Sequence, residues 1–256
     1  MRSSFRIIPT LLLNDSELYK TVRFKNPKYI GDPINAIKIF NEKEVDEIIV
    51  IDIGVTKNKS SINFELIGQI AGECFMPMTY GGGIKTMEDV DKLFALGIEK
   101  ICIQSKAIDD LDFLKLIADK YGSQAVVLSV DFKKNIFGKK NIFSFEKNRF
   151  LKCDWRDFLD RAQEFGAGEI LATFIDHEGT KNGIDVKLLS DIVKYCKIPV
   201  IGQGGVGSNQ DIYDGYLTGV GGIAVGTFFV LNGPHDAVLI TYTKTEDLIS
   251  KVNKNV

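Results

Sequence analysis

The chain has 256 residues with 32 basic and 34 acidic side chains, a formal net charge of −2. That balance excludes a global field drawing it onto nucleic acid or an anionic membrane, so any anion it binds must be caught locally. No apolar run approaches the ~20 residues that span a bilayer, no signal-peptide core follows Met1, and the four cysteines, Cys74, Cys102, Cys153 and Cys196, form no C-x-x-C pair; a cytoplasmic protein with reduced thiols is expected.

Arg6 to Leu13 reads as a short buried strand ended by Asn14, Asp15 and Ser16. The polar stretch from Glu17 to Gly31, with Lys20, Arg23, Lys25 and Lys28 among aromatic residues, is longer than most strand-to-helix loops, and such loops tend to be functional. Asp32 and Pro33 then open a helix as N-cap acid and first-turn proline. Strands are expected at 47–53, 76–80 and 100–104, alternating with helices at 62–74, 86–96 and 109–121.

The second half begins with the run Val126, Val127, Leu128, Val130, which ends in a single carboxylate, Asp131. Residues 133–152 read as a small β-ribbon of aromatic and basic residues, with Lys133 and Lys134 solvated, and Trp155 reads as core. Helices are expected at 154–165, 185–195 and 208–217, strands at 169–176, 199–203 and 222–226, and a last helix at the C-terminus. Eight such units with near-continuous apolar strands argue for one closed (β/α)8 TIM barrel over residues 1–256, halved at about 122; a doubly wound open sheet is the structural alternative.

An internal repeat supports the two halves. Pro77 to Ile84, Asp89, Gly97 and Ile101 to Ser105 align without gaps on Pro199 to Val206, Asp211, Gly219 and Ile223 to Thr227, at one offset throughout. Glycines after a barrel strand let backbone N–H groups approach an anion, and a helix start adds its positive end. Gly82 and Gly83 with Gln104 and Ser105, and Gly204 and Gly205 with Gly226 and Thr227, therefore read as two phosphate sites, and two sites imply a small-molecule substrate phosphorylated at both ends. The plainer alternative is that these glycines only turn the chain.

Arg6, Glu47, Lys100 and Glu169 each stand immediately before an apolar strand, which places all four at the barrel floor. Pointing inward, two positive and two negative charges make a neutral, mutually paired ring; pointing outward they are ordinary surface charges. Asp52, Asp131 and Asp176 lie at C-terminal strand ends, where barrel enzymes carry their chemistry, and Asp131 is the proton-transfer candidate. His177 and Glu178 have no second histidine near them in sequence, which speaks against a metal.

With those residues in view, the whole chain resembles the HisF family, the cyclase subunits of imidazole glycerol phosphate synthase. The resemblance is carried by Arg6-Ile7-Ile8, Gly31-Asp32-Pro33, Asp46-Glu47-Ile48 with Asp52-Ile53, Gly81 to Ile84, Gly122 to Val127, Gly166 to Leu171, Ile175-Asp176 with Gly179-Thr180-Lys181, and Gly204-Gly205. It implies a HisH-like glutaminase subunit docked on the floor, with Arg6, Glu47, Lys100 and Glu169 gating the ammonia it delivers. It also implies no cofactor, a bisphosphorylated aminoimidazole ribonucleotide substrate, Gly179 and Thr180 among the phosphate-binding residues, and Lys20 as a contact from the substrate loop. Of the family's two aspartates, on strands one and five, the second falls on Asp131, but the first falls on Leu12, which carries no proton; Asp15 stands three residues on and is the one substitute if its loop folds inward. Gln104 and Gln203 replace the family's asparagine and serine. The basic loop Arg23 to Tyr29 and the leucine-rich first strand resemble a branch of HisF-like paralogues of surface-polysaccharide sugar pathways, which implies a sugar amidotransferase as partner.

Overall fold

A computed structural model of the chain describes residues 5–58 and 60–253. Eight parallel strands form its centre: β1 (Arg6–Asn14), β2 (Ile48–Asp52), β3 (Met78–Gly81), β4 (Lys100–Ile103), β5 (Val126–Lys134), β6 (Glu169–Phe174), β7 (Val200–Gln203) and β8 (Gly222–Val225). Each pairs with its neighbours in chain order, and β1 pairs with both β8 and β2, so the sheet closes on itself with no free edge. The alternative of an open doubly wound sheet is thereby excluded.

The strands read as continuous apolar runs because both their faces are covered. In β1, Ile7, Leu11 and Leu13 turn outward into the core beneath the helices, whereas Ile8 turns inward and packs with Ile49, Cys102, Val127, Leu171, Ile201 and Ala224 as a separate apolar layer inside the barrel. The period of two then sends Arg6, Thr10 and Leu12 inward as well. Glu47, Lys100, Asp131 and Glu169 share that inward parity with Arg6, so the floor and the top face lie on one axis, whereas Asp52, one residue beyond the inward Ile51, has the opposite parity.

The internal repeat extends to the helix starts. Thr86 caps the helix Met87–Ala95 in a reciprocal capping box with Asp89, and Ser208 caps Asn209–Leu217, its hydroxyl donating to Asp211 at 2.9 Å. Asp89 and Asp211 thus recur because both halves begin this helix in the same way. No helix among the described residues is long and apolar enough to cross a membrane.

Four sequence expectations need correction. Residues 17–31 are not a loop but a β-hairpin, Glu17–Val22 paired with Lys25–Gly31; its strand pattern is hidden because most of its outer face is exposed and polar. The helix expected at 109–121 starts later, at Asp112, and runs to Tyr121, with a separate short helix, Ser105–Asp109, before it. Short helices also occur at Ile53–Asn58 and Thr227–Val230, too brief to show a period in sequence. Between the last of these and the final helix Thr245–Asn253 lies a two-stranded ribbon, Leu231–Asn232 with Ala237–Val238.

Candidate active site

At the floor the four charges do point inward and form a closed ring of alternating sign. Arg6 is paired with both Glu47 and Glu169, and Lys100 Nζ lies 2.9 Å from Glu47 and 3.0 Å from Glu169. The carboxylates are 2% and 5% exposed, and Thr79 Oγ1 donates a further hydrogen bond to Glu47 at 3.0 Å. Burial pulls the Arg6 guanidinium down, but Glu169 and Glu47 outweigh it, so its pKa stays above the ordinary value. Each buried carboxylate has two cationic partners, the condition under which buried charge is tolerated.

Above the ring lies the apolar layer, and above that the polar top of the barrel. Asp131 is 5% exposed and stands opposite Thr173 in the β5–β6 register. Burial raises its carboxyl to about 7, against the opposing pull of Gln104 and Thr173, so it exchanges protons near neutrality. Leu12 pairs in register with Ile51, which makes the strand-one position apolar. Asp15 does not compensate: it is exposed at the turn after β1 and accepts a hydrogen bond from Asn58 at 3.0 Å.

The other top-face acids serve the backbone. Asp52 accepts from the N–H groups of Gly54 and Val55 at 3.0 and 3.2 Å, and Asp176 from the Lys134 N–H at 2.8 Å. His177 Nδ1 lies 2.8 Å from the Gly183 carbonyl oxygen. Lys133, expected in solvent, is half-buried with its ammonium 4.2 Å from the centre of the Phe143 ring.

The glycine motifs form two cradles, one at the tops of β3 and β4 and the other at the tops of β7 and β8, as the repeat requires. A Cβ on Gly82 would stand 2.1 Å from the Asp52 carbonyl oxygen, and one on Gly205 2.1 Å from that of Gly183, so close packing also demands glycine there. The helices that start at Ser105 and Thr227 have no side-chain cap, which leaves their first N–H groups open to a ligand.

The hairpin brings Lys20 into the second cradle. Its side chain is buried, its Nζ donates to the Thr10 carbonyl oxygen, and it lies 3.1 Å from where a Cβ on Gly226 would sit. Lys20, Leu12, Gly179, Gly204, Gly205 and Thr227 all line one small cleft. Burial lowers the Lys20 ammonium to about 8 even though the negative charge of Glu178 opposes the shift. Thr180 is turned into its own loop, donating to the His177 carbonyl at 2.8 Å.

In sequence Glu178 stands out only as the neighbour of His177, but in the fold it has another task. Buried itself, it accepts from Thr21 Oγ1 at 3.1 Å and from the Phe24 N–H at 2.9 Å, while its carbonyl accepts from the Arg23 N–H at 3.0 Å. These bonds latch the hairpin over the top of the barrel, and nothing in the local sequence pairs residue 178 with residues 21–24.

A profile of the family described as "Histidine biosynthesis protein" matches residues 6–234. Among curated relatives, a "Putative imidazole glycerol phosphate synthase subunit hisF2" of Pseudomonas aeruginosa is 48% identical over 244 residues, covering 95% of this chain and 97% of the relative. A "Putative imidazole glycerol phosphate synthase subunit HisF" of Leptospira interrogans is 41% identical over 94% of this chain and 96% of its own length. An "Imidazole glycerol phosphate synthase subunit HisF" of Streptococcus sanguinis is 36% identical over 82% of this chain and 83% of its own length. With the closed barrel and its two glycine cradles, these likenesses mean that the chain belongs to the HisF family of imidazole glycerol phosphate synthase subunits.

Proposed function

We propose that this chain is the ammonia-using subunit of an imidazole glycerol phosphate synthase pair. A HisH-like glutaminase docks on the barrel floor, ammonia enters through the ring of Arg6, Glu47, Lys100 and Glu169, and the top face carries out the cyclase–lyase step on a bisphosphorylated ribonucleotide. The observation that carries this reading is the placement of Asp131, with its carboxyl near 7, between two repeat-related glycine cradles, one of them holding the buried Lys20. A bisphosphorylated ligand spanning the cradles lies across Asp131, which gives and takes the proton when ammonia adds and the ring closes.

A specific observation favours a second reading. Leu12 and Ile51 form an apolar wall where the family's other aspartate stands, and Asp15 is turned away. Losing one partner of an acid–base pair typically costs ~10²–10⁴-fold. In this reading the cyclase step is lost and the barrel hands ammonia to a sugar amidotransferase of surface-polysaccharide synthesis.

One experiment separates the two: turnover of the bisphosphorylated ribonucleotide by the purified chain with ammonium salt, with Leu12→Asp alongside. Turnover by the unmodified chain supports a synthase working through Asp131 alone. No turnover by that chain, with activity gained by Leu12→Asp, supports the conduit.

A further inference from the structure

A cavity of about 340 Å³ lies on the top face between the tip of the 17–31 hairpin and the ribbon that extends β5, within the ~300–1,000 Å³ range of small-molecule sites. Its walls include Arg23, Lys25, Lys133, Phe143, Phe145 and Asp176, none of which belongs to either glycine cradle. Among the described residues, none of its three cations has a carboxylate within ion-pair distance: Arg23 Nε donates to the Asp176 backbone carbonyl at 3.1 Å, and Lys133 lies over the Phe143 ring. The one acid, Asp176, is occupied by the Lys134 N–H. That bond leaves the carboxylate charged, so the lining sets three cations against one anion, and the cavity is net positive and partly aromatic.

The walls are built rather than incidental. Phe132 pairs with Ile142 across the ribbon, so Lys133 and Phe143 stand on the same face as Asp131. On the other side, Val22 pairs with Lys25 around a two-residue turn in which Arg23 (φ 54°) and Phe24 (φ 60°) are both left-handed, where Asn-Gly is the usual choice. Such strain persists only where the surroundings impose it, and it gathers at ligand clamps. Here Glu178 holds the turn, and Phe24 packs edge-to-face on Phe145 at 5.7 Å, joining hairpin to ribbon.

We propose that this cavity binds a nucleoside diphosphate. Arg23, Lys25 and Lys133 take the diphosphate, whose two phosphoryl groups offer three separate cations more acceptor oxygens over a longer span than a single phosphate does, and the base lies against Phe145, 52% exposed, and the edge of Phe143. The site uses three side-chain cations, where the cradles use backbone N–H groups and, in the second, Lys20, and it is independent of which reaction Asp131 performs.

Calorimetric titration of ADP and UDP into the full chain tests it, with pyrophosphate and uridine as partial ligands. Both nucleotides are expected to bind one per chain, about tenfold more weakly to Lys133→Ala, as loss of a charge-assisted contact requires. Phe145→Ala should weaken the nucleotides but not pyrophosphate, and Lys20→Met, which alters only the cradle, should leave nucleotide binding unchanged. Thermal melts check that each variant is folded. The proposal is overturned by no binding at millimolar nucleotide, by pyrophosphate binding as tightly as ADP and UDP, or by binding lost in Lys20→Met yet kept in Lys133→Ala, which puts the nucleotide in the cradle.

Discussion

Glu47 and Glu169 occupy the same place in the two halves of the barrel, at the same offset as the glycine motifs, and each is paired with both Arg6 and Lys100. The cations have no such symmetry: Arg6 belongs to β1 and Lys100 to β4. The floor is thus a symmetric pair of buried acids bridged by two unlike bases. Lys100, with its single flexible ammonium, is the more easily displaced of the two bridges.

If ammonia passes this ring, Lys100→Ala and Glu169→Ala should impair glutamine-dependent turnover about tenfold more than ammonium-dependent turnover. Parallel steady-state assays with the two nitrogen sources check this, and equal losses in both would count against a gate. Glu169→Ala should also lower stability, because it leaves Arg6 short of a partner, and breaking a buried pair costs ~3–5 kcal/mol.

Asp131→Asn should abolish turnover, by at least ~10²-fold, while affinity for a bisphosphorylated ligand stays within a few fold. Stability should change with pH in a definite direction. The folded carboxyl is raised to about 7, above its unfolded value of about 4, so the folded state holds the extra proton between those pH values and the carboxyl weakens the fold as pH rises toward 7. Asp131→Asn therefore gains Tm over the unmodified chain above pH 7 and shows no such gain below pH 4. Full residual activity would remove Asp131 from the mechanism.

Lys20 must be protonated to attract a phosphate, and burial sets that proton's loss at about 8. Affinity for a phosphorylated ligand should fall as pH rises from 7 to 9, and Lys20→Met should bind weakly with no such dependence. Equilibrium titrations at the two pH values read it directly.

Glu178→Ala removes the acceptor that holds the hairpin at Thr21 and Phe24. Trypsin should then cut faster at Arg23 and Lys25, and ligand affinity should drop about tenfold, since closing the hairpin now draws on binding energy. Unchanged proteolysis would show that the hairpin is held elsewhere.

Phe75 is 85% exposed in the helix-to-strand loop that ends at β3, on the floor side, and its N–H donates to Asn41 Oδ1 at 3.1 Å. Aromatic residues, phenylalanine among them, are enriched at protein interfaces. Phe75→Ala should weaken association with a glutaminase subunit by at least about tenfold, measured by surface-immobilised binding, and leave ammonium-dependent turnover intact.

The amino-acid sequence was enough to read the barrel, the internal repeat and four charges at strand starts, but not whether those charges point inward. Each is written in short-range features: apolar runs of strand length, glycines at one offset, an acid or base just before a strand. Asp131 stood out as a lone carboxylate after an apolar run, although β5 itself continues to Lys134, and Leu12 stood out only through the resemblance to the HisF family, whose aspartate it replaces. Only the tertiary structure decided that Asp15 turns away, that Asp52 and Asp176 serve backbone N–H groups, and that residues 17–31 form a hairpin carrying Lys20 into the second cradle. Apart from the local bonds of Asp52 to Gly54 and Val55, those outcomes depend on contacts between separate elements, 43 positions apart for Asp15 and Asn58, 42 for Lys134 and Asp176 and 157 for Thr21 and Glu178, and no local pattern encodes them. The physical reason is that a polar side chain on an exposed segment takes whichever partner the closed barrel brings to it, whereas an apolar strand residue has one place to go.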